Sequence, residues 1–297
     1  MALFKKKTTL AHHITYMGIM TAINLIFIVL ATYIPYLMFL LILLLPFAST
    51  IVSYFCLKRY YLIYAVASIG LCFIFNISDT FFYVIPAIIS GFVIGIMLEK
   101  MIHPFWMVLS SSLINAALTF AFIPLINLIS GTDIVVVFLT IFKLNEFAYK
   151  TELTYLFILF LSFAQCSLTH LAMFADIKKM GIEINTRINS FSSFIIGLEV
   201  SILLALIMSL FYSPLAFFFV GISLCFTAFL ILDLLTSKKP IVYILLVICL
   251  FISLILFAIF YRQIVKPLGM ILVSIFPFFI SLISFIKNYL IKQSINI

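Results

Sequence analysis

Ten apolar runs occupy nearly all of this chain, and each is long enough to cross a bilayer: 14–34, 36–57, 60–77, 81–98, 105–129, 153–175, 191–212, 215–235, 241–261 and 267–286. A membrane-crossing helix needs ~20 apolar residues. Backbone N–H and C=O groups find no water in hydrocarbon, so such runs must be helices or a closed barrel. Barrel strands are ~10 residues long and alternate in polarity. These runs are longer and apolar on every face. The sequence therefore predicts an all-α, polytopic transmembrane bundle of about ten spans. Eight spans with a different C-terminal arrangement is the alternative, because Arg262 and Lys266 interrupt the last pair.

Composition sets the limits on function. Of 297 residues, 66% are hydrophobic and only 9% charged, against roughly 25% charged in soluble domains. A soluble enzyme, a DNA-binding domain and a secreted disulfide scaffold are all excluded. Cys56, Cys72, Cys166, Cys225 and Cys249 fall within apolar runs at no metal-binding spacing, and read as small packing residues.

The net charge of +8 follows the connections between runs. With the N-terminus in the cytoplasm, the inner segments hold thirteen basic residues: Lys5, Lys6, Lys7, Lys58, Arg59, Lys100, Lys178, Lys179, Arg187, Lys238, Lys239, Lys287 and Lys292. The outer segments hold four, Lys143, Lys150, Arg262 and Lys266. This bias predicts ten spans with both termini on the cytoplasmic side. The positive charge is thereby assigned to topology and anionic lipid, not to nucleic acid. The first run lacks a small-residue cleavage site and reads as a retained anchor.

The expected organisation has four parts: a basic N-terminus at 1–13, a five-span bundle at 14–129, an external connection at 130–152, and a second five-span bundle at 153–297. The apolar piece 134–142 inside the connection suits an interfacial helix. Trp106 and the tyrosines Tyr33, Tyr36, Tyr60 and Tyr61 lie near run ends and suit an aromatic belt.

No phosphate loop, H-E-x-x-H site, dinucleotide fingerprint or nucleophile elbow occurs, so no catalytic residue, metal site or cofactor is assigned. Polar groups inside the membrane carry the functional expectations. Glu199 lies about 12 Å into the seventh span, counting ~1.5 Å per residue. A carboxylate at that depth is protonated, paired or turned to a cavity. His170 and Gln165, roughly 9 and 16 Å deep on the preceding span, bracket it as partners for a substrate group or a proton. Asn115, beside Ser110, Ser111 and Ser112, is a further cavity-lining or interhelical candidate. Gly18 with Ala22, and Gly91 with Gly95, are small pairs four apart that suit close helix packing or partner docking.

The layout of these features resembles a known family. Gly18 and Ala22 are followed by Tyr33-Ile34-Pro35, then Leu44-Leu45-Pro46 and the basic pair Lys58-Arg59. Pro86, Gly91 and Gly95 follow, then Asn127 to Asp133, and Lys178-Lys179-Met180-Gly181-Ile182-Glu183 after the sixth run. This pattern, over the first two thirds of the chain, resembles the YybS-like bacterial membrane proteins. That family is distantly similar to the substrate-binding S components of energy-coupling factor transporters. The resemblance implies a small-molecule capture or transport component without its own ATPase. It would dock through the first helix onto an energy-coupling membrane subunit with paired ATPases. A proton-coupled secondary transporter built on Glu199, and a non-transport scaffold, stand as alternatives.

Overall fold

A computed structural model describes residues 9–141, 150–179, 191–236, 240–260 and 267–295. Among them every regular element is a helix. In order these are α1 (Leu10–Tyr33), α2 (Pro35–Phe55), α3 (Lys58–Phe75), α4 (Ile77–Asp79), α5 (Ile85–Glu99), α6 (Pro104–Ser130), α7 (Ile134–Ile141), α8 (Lys150–Lys179), α9 (Phe191–Ser209), α10 (Ser213–Thr236), α11 (Pro240–Phe260) and α12 (Pro267–Ile295). A π-helical turn, Thr80–Val84, joins α4 to α5.

Among the described residues, six stretches are long and apolar enough to cross a membrane: Leu10–Tyr33, Lys58–Phe75, Ile77–Glu99, Pro104–Ser130, Lys150–Ala175 and Ser213–Leu232. The other four apolar runs coincide with α2, α9, α11 and α12, where the described apolar stretches are shorter. Lys5, Lys6, Lys7, Lys143, Arg187, Lys238, Lys239, Arg262, Lys266 and the segment 180–183 lie outside the described residues.

Local chemistry explains where helices start and stop. Pro35 opens α2, where its missing N–H has no cost. The Asn76 side chain caps the next element by accepting from the Asp79 N–H at 3.0 Å. Asp133 does the same for α7, accepting from the Val135 N–H at 2.9 Å. Gly131 ends α6 at φ +66°, a left-handed conformation that a glycine adopts without a Cβ clash. His103 opens α6, its Nδ1 accepting from the Phe105 N–H at 3.2 Å.

The helices form two compact units. The first holds α1 to α7 and α8 from Ile158 onward; the second holds the opening turns of α8 and α9 to α12. The sequence reading divides the chain at the 130–152 connection, whereas the contacts group most of α8 with the N-terminal helices. The physical tie is polar: Asn115 on α6 donates to Gln165 on α8 at 2.6 Å.

Within the first unit, α1 and α2 form a hairpin with Ile34 alone between them, and the Tyr16 ring meets Phe55 edge-on at 6.5 Å. α3 packs along α1 through Asn24 Nδ2 to Tyr64 Oη (2.8 Å) and Thr21 with Ser68 (3.1 Å). α2 and α5 run parallel in close contact. Ser49 and Ser53 donate to the Ile88 and Phe92 carbonyls at 2.7 and 3.0 Å. Gly91 and Gly95 face those serines. A Cβ on Gly91 would fall 2.6 Å from the Pro46 carbonyl oxygen, and one on Gly95 would fall 2.5 Å from Ser53 Cβ. The two glycines therefore serve internal packing, one of the two uses expected of them. Tyr61 is corrected as a belt residue. It is buried beside Ser49 and donates to the Ile88 carbonyl at 2.7 Å.

Burial is inverted relative to a protein in water. Asn24, Ser49, Thr50, Ser68, Ser111 and Asn115 are buried, while Leu62, Ile63, Val66, Ile74 and Leu128 are 60–80% exposed. Apolar side chains can stay outside in such numbers only if the solvent is lipid. These are the helices of an integral membrane protein. The ends of the first unit differ in charge. One end carries Lys58, Arg59, Glu99 and Lys100; the other carries Asp79 and Asp133, with no Lys or Arg among its described residues.

Two predictions follow from this geometry. Gly91→Ala and Gly95→Ala should each lower stability in detergent by about 1–3 kcal/mol through overpacking, whereas Gly18→Ala, with open space around its Cβ position, should change it by less than ~0.5 kcal/mol; thermal unfolding of the three variants checks both. Burial also holds the His103 imidazole below its ordinary pKa. The neutral ring is the form whose Nδ1 caps α6. A depressed folded pKa gives stability that is present above the unfolded value, about 6.5, and lost as pH falls through the folded one. Unfolding temperature should therefore fall on acidification to about pH 5, and His103→Asn, which keeps an acceptor, should remove that component.

Candidate functional site

The first unit concentrates its intramembrane polarity where α5, α6 and α8 meet. Period-3.6 spacing puts Ser111, Asn115 and Thr119 on one face of α6, and Ser162, Gln165, Cys166, Thr169 and His170 on one face of α8. All of these are buried. Asn115 donates to Gln165 at 2.6 Å, and the Cys166 thiol lies near Ser90, Ser111 and Asn115. Ser111 and Ser112 return their own hydroxyl protons to the Met107 and Leu109 carbonyls at 2.7 and 2.8 Å. The upper part of the seam is thus closed on itself, with polar groups satisfying polar groups.

One turn further along α8 the accounting changes. Thr169 Oγ1 and His170 Nε2 are buried and have no hydrogen-bond partner among the described residues. Thr169 is 1% exposed and His170 7%. The His170 ring lies beside Phe174, centroids 6.0 Å apart. Buried polar atoms ordinarily have partners, so a water or a polar solute atom at this position would be stabilised. The seam is neutral. It offers hydrogen bonds and no fixed ionic charge, which suits an uncharged polar group more than an anion.

The second unit supplies Glu199 with a different partner from those expected. Glu199 is half-buried on α9, and Ser281 of α12 donates to its Oε1. Gln165 accepts from Asn115 in the first unit, which also holds His170, whereas Glu199 belongs to the second. Ser281 gives no signal in the sequence, because serines in apolar helices usually bond back to their own carbonyls. A second carboxylate, Glu152, was also missed. It lies in the first turn of α8, 9% exposed, and accepts from Ser213, the first residue of α10, at 2.6 Å. The positive ends of two helices thus face one carboxylate. Tyr155 and Tyr212 reinforce that corner at 3.3 Å.

The small pairs divide cleanly. Gly91 and Gly95 are consumed by α2. Gly18 and Ala22 are exposed on α1 and face open space. Gly197, not singled out as a small pair, seats the Phe226 ring of α10; an added Cβ would lie 2.5 Å from Phe226 Cζ.

No protein-family model matches this chain, and no curated protein or solved structure is similar to it.

A double-mutant cycle tests the seam. Asn115→Leu and Gln165→Leu should each destabilise by about 1–3 kcal/mol, since each leaves a buried amide unpaired. The double variant should cost less than the sum, with coupling of about 0.6–2 kcal/mol.

Proposed function

We propose that the chain is a ten-span protein of the bacterial plasma membrane with its basic ends inside. It acts as a substrate-binding or transport component for a small polar molecule and draws its energy from partner chains. The charge asymmetry of the first unit favours the orientation, because positive residues collect on the cytoplasmic side. The observation that carries the functional reading is the open small-residue face of α1. Gly18 and Ala22 stand exposed at one-turn spacing, while Gly91 and Gly95 are buried in internal packing. Small residues left uncovered in lipid permit a second helix to approach to backbone contact. That is the docking mode which the YybS-like and S-component resemblance implies for the first helix. The neutral seam on α6 and α8, ending at Thr169 and His170, supplies hydrogen bonds for a polar solute.

A proton-coupled transporter is the second reading. It is favoured by the Glu199 carboxylate held by Ser281 in the middle of apolar helices. It places proton binding in the second unit and predicts uptake lost in Glu199→Gln and retained in Glu199→Asp.

The first reading is tested by mild extraction of the tagged protein. Wild type should co-purify with a membrane subunit and ATPases. Gly18→Leu and Ala22→Leu should lose them while keeping the wild-type unfolding temperature. Recovery of the chain alone in several mild detergents would remove the docking reading and leave the proton-coupled one.

A further inference from the structure

The basic end of the first unit holds a cleft of about 540 Å³ lined by Tyr54, Leu57, Lys58, Arg59 and Glu99, among others. It forms where α2 ends, α3 begins and α5 ends. Its two cations are held differently. Lys58 Nζ sits 2.7 Å from Glu99 Oε2. Arg59 lies over the Tyr60 ring, 4.7 Å from its centroid, and has no carboxylate partner among the described residues. The Tyr60 ring is itself positioned by His13, centroids 5.3 Å apart. Stacking fixes the plane of the guanidinium and leaves its N–H fork unspent.

The surface that continues from Arg59 is apolar. Leu62, Ile63 and Val66, three, four and seven residues on, share its face of α3 and are 71%, 60% and 63% exposed. A cation with an open fork thus sits in a cleft at the head of an apolar strip that runs ~10 Å along the helix. One molecule in a membrane has that shape and charge: an anionic phospholipid, with phosphate at the head and acyl chain along the strip. A free phosphate would use the cations but not the strip, and a zwitterionic lipid would bring its own cation to a cleft that already sets two cations against the single Glu99 carboxylate.

We infer that this cleft binds an anionic phospholipid of the inner leaflet, with its phosphodiester on Arg59 and Lys58 and an acyl chain against Leu62, Ile63 and Val66. The leaflet assignment rests on the orientation proposed above; the chemistry of the cleft does not.

The full chain in detergent micelles, titrated with phosphatidylglycerol or phosphatidylcholine and read by native mass spectrometry and thermal unfolding, tests the site. Phosphatidylglycerol should remain bound and raise the unfolding temperature, and phosphatidylcholine should not. Arg59→Gln should weaken phosphatidylglycerol binding about fivefold, the loss of one interfacial cation. Lys100→Gln, an equal charge change outside the cleft lining, should leave it unchanged. Arg59→Lys should recover part of the affinity, which separates loss of the site from misfolding. Equal retention of the two lipids, equal losses in Arg59→Gln and Lys100→Gln, or full competition by inorganic phosphate would each overturn the assignment. None of these readouts involves a partner complex, so failure here and failure of the docking experiment are separate results.

Discussion

In lipid a helix gains nothing by hiding its apolar side chains, because the acyl chains outside are as apolar as leucine. Helices hold together only where backbones come close enough for dense packing or where polar groups find one another. The α2–α5 contact uses both. Ser49 and Ser53 on one helix face Gly91 and Gly95 on the other, four apart on each side. The same serines donate into the Ile88 and Phe92 carbonyls across the gap. Absence of Cβ atoms on one helix is what lets hydroxyls on the other reach backbone. The rest of the first unit is arranged around that pair, with α1 and α3 on one side and α6 with α8 on the other.

Polar groups in this interior therefore fall into two sets with different consequences. Thr21 with Ser68 and Asn115 with Gln165 are pairs that fix which helix lies against which, as does the Asn24 amide nitrogen on Tyr64. Among the described residues Asn24 Oδ1, Thr169 Oγ1 and His170 Nε2 have no hydrogen-bond partner, and Glu199 meets the Ser281 hydroxyl. Closed pairs explain a stable bundle. Open groups mark where something besides the protein can be accommodated.

Much of the fold was legible in the sequence, for a reason specific to membranes. Every backbone polar group must be satisfied within its own segment, so a long apolar run has one solution, and each of the ten runs lies on a helix. Prolines and polar residues at the breaks, such as Pro35 and Asn76, marked their ends. Tertiary partners were much less legible. Apolar faces on every side give no periodicity to show which face turns inward, so Tyr61 read as a belt residue though it is a buried donor. Depth along the span says nothing about rotation, so it could not show that Gln165 bonds Asn115. Ser281 and Ser213 were silent because serine is common in apolar helices and usually serves its own backbone.

The single residue between α1 and α2 has a consequence for how the protein is made. Ile34 leaves no polar turn that could wait in water while one helix enters the bilayer before the other. With Tyr16 already against Phe55 at the far end, the two segments pack as one unit whose Asn24, Ser49 and Ser53 still await partners on α3 and α5. During synthesis the nascent chain is best released into lipid as this preformed pair. The first partition step is then decided by the 46 residues from Leu10 to Phe55 together, and not by the leading segment alone.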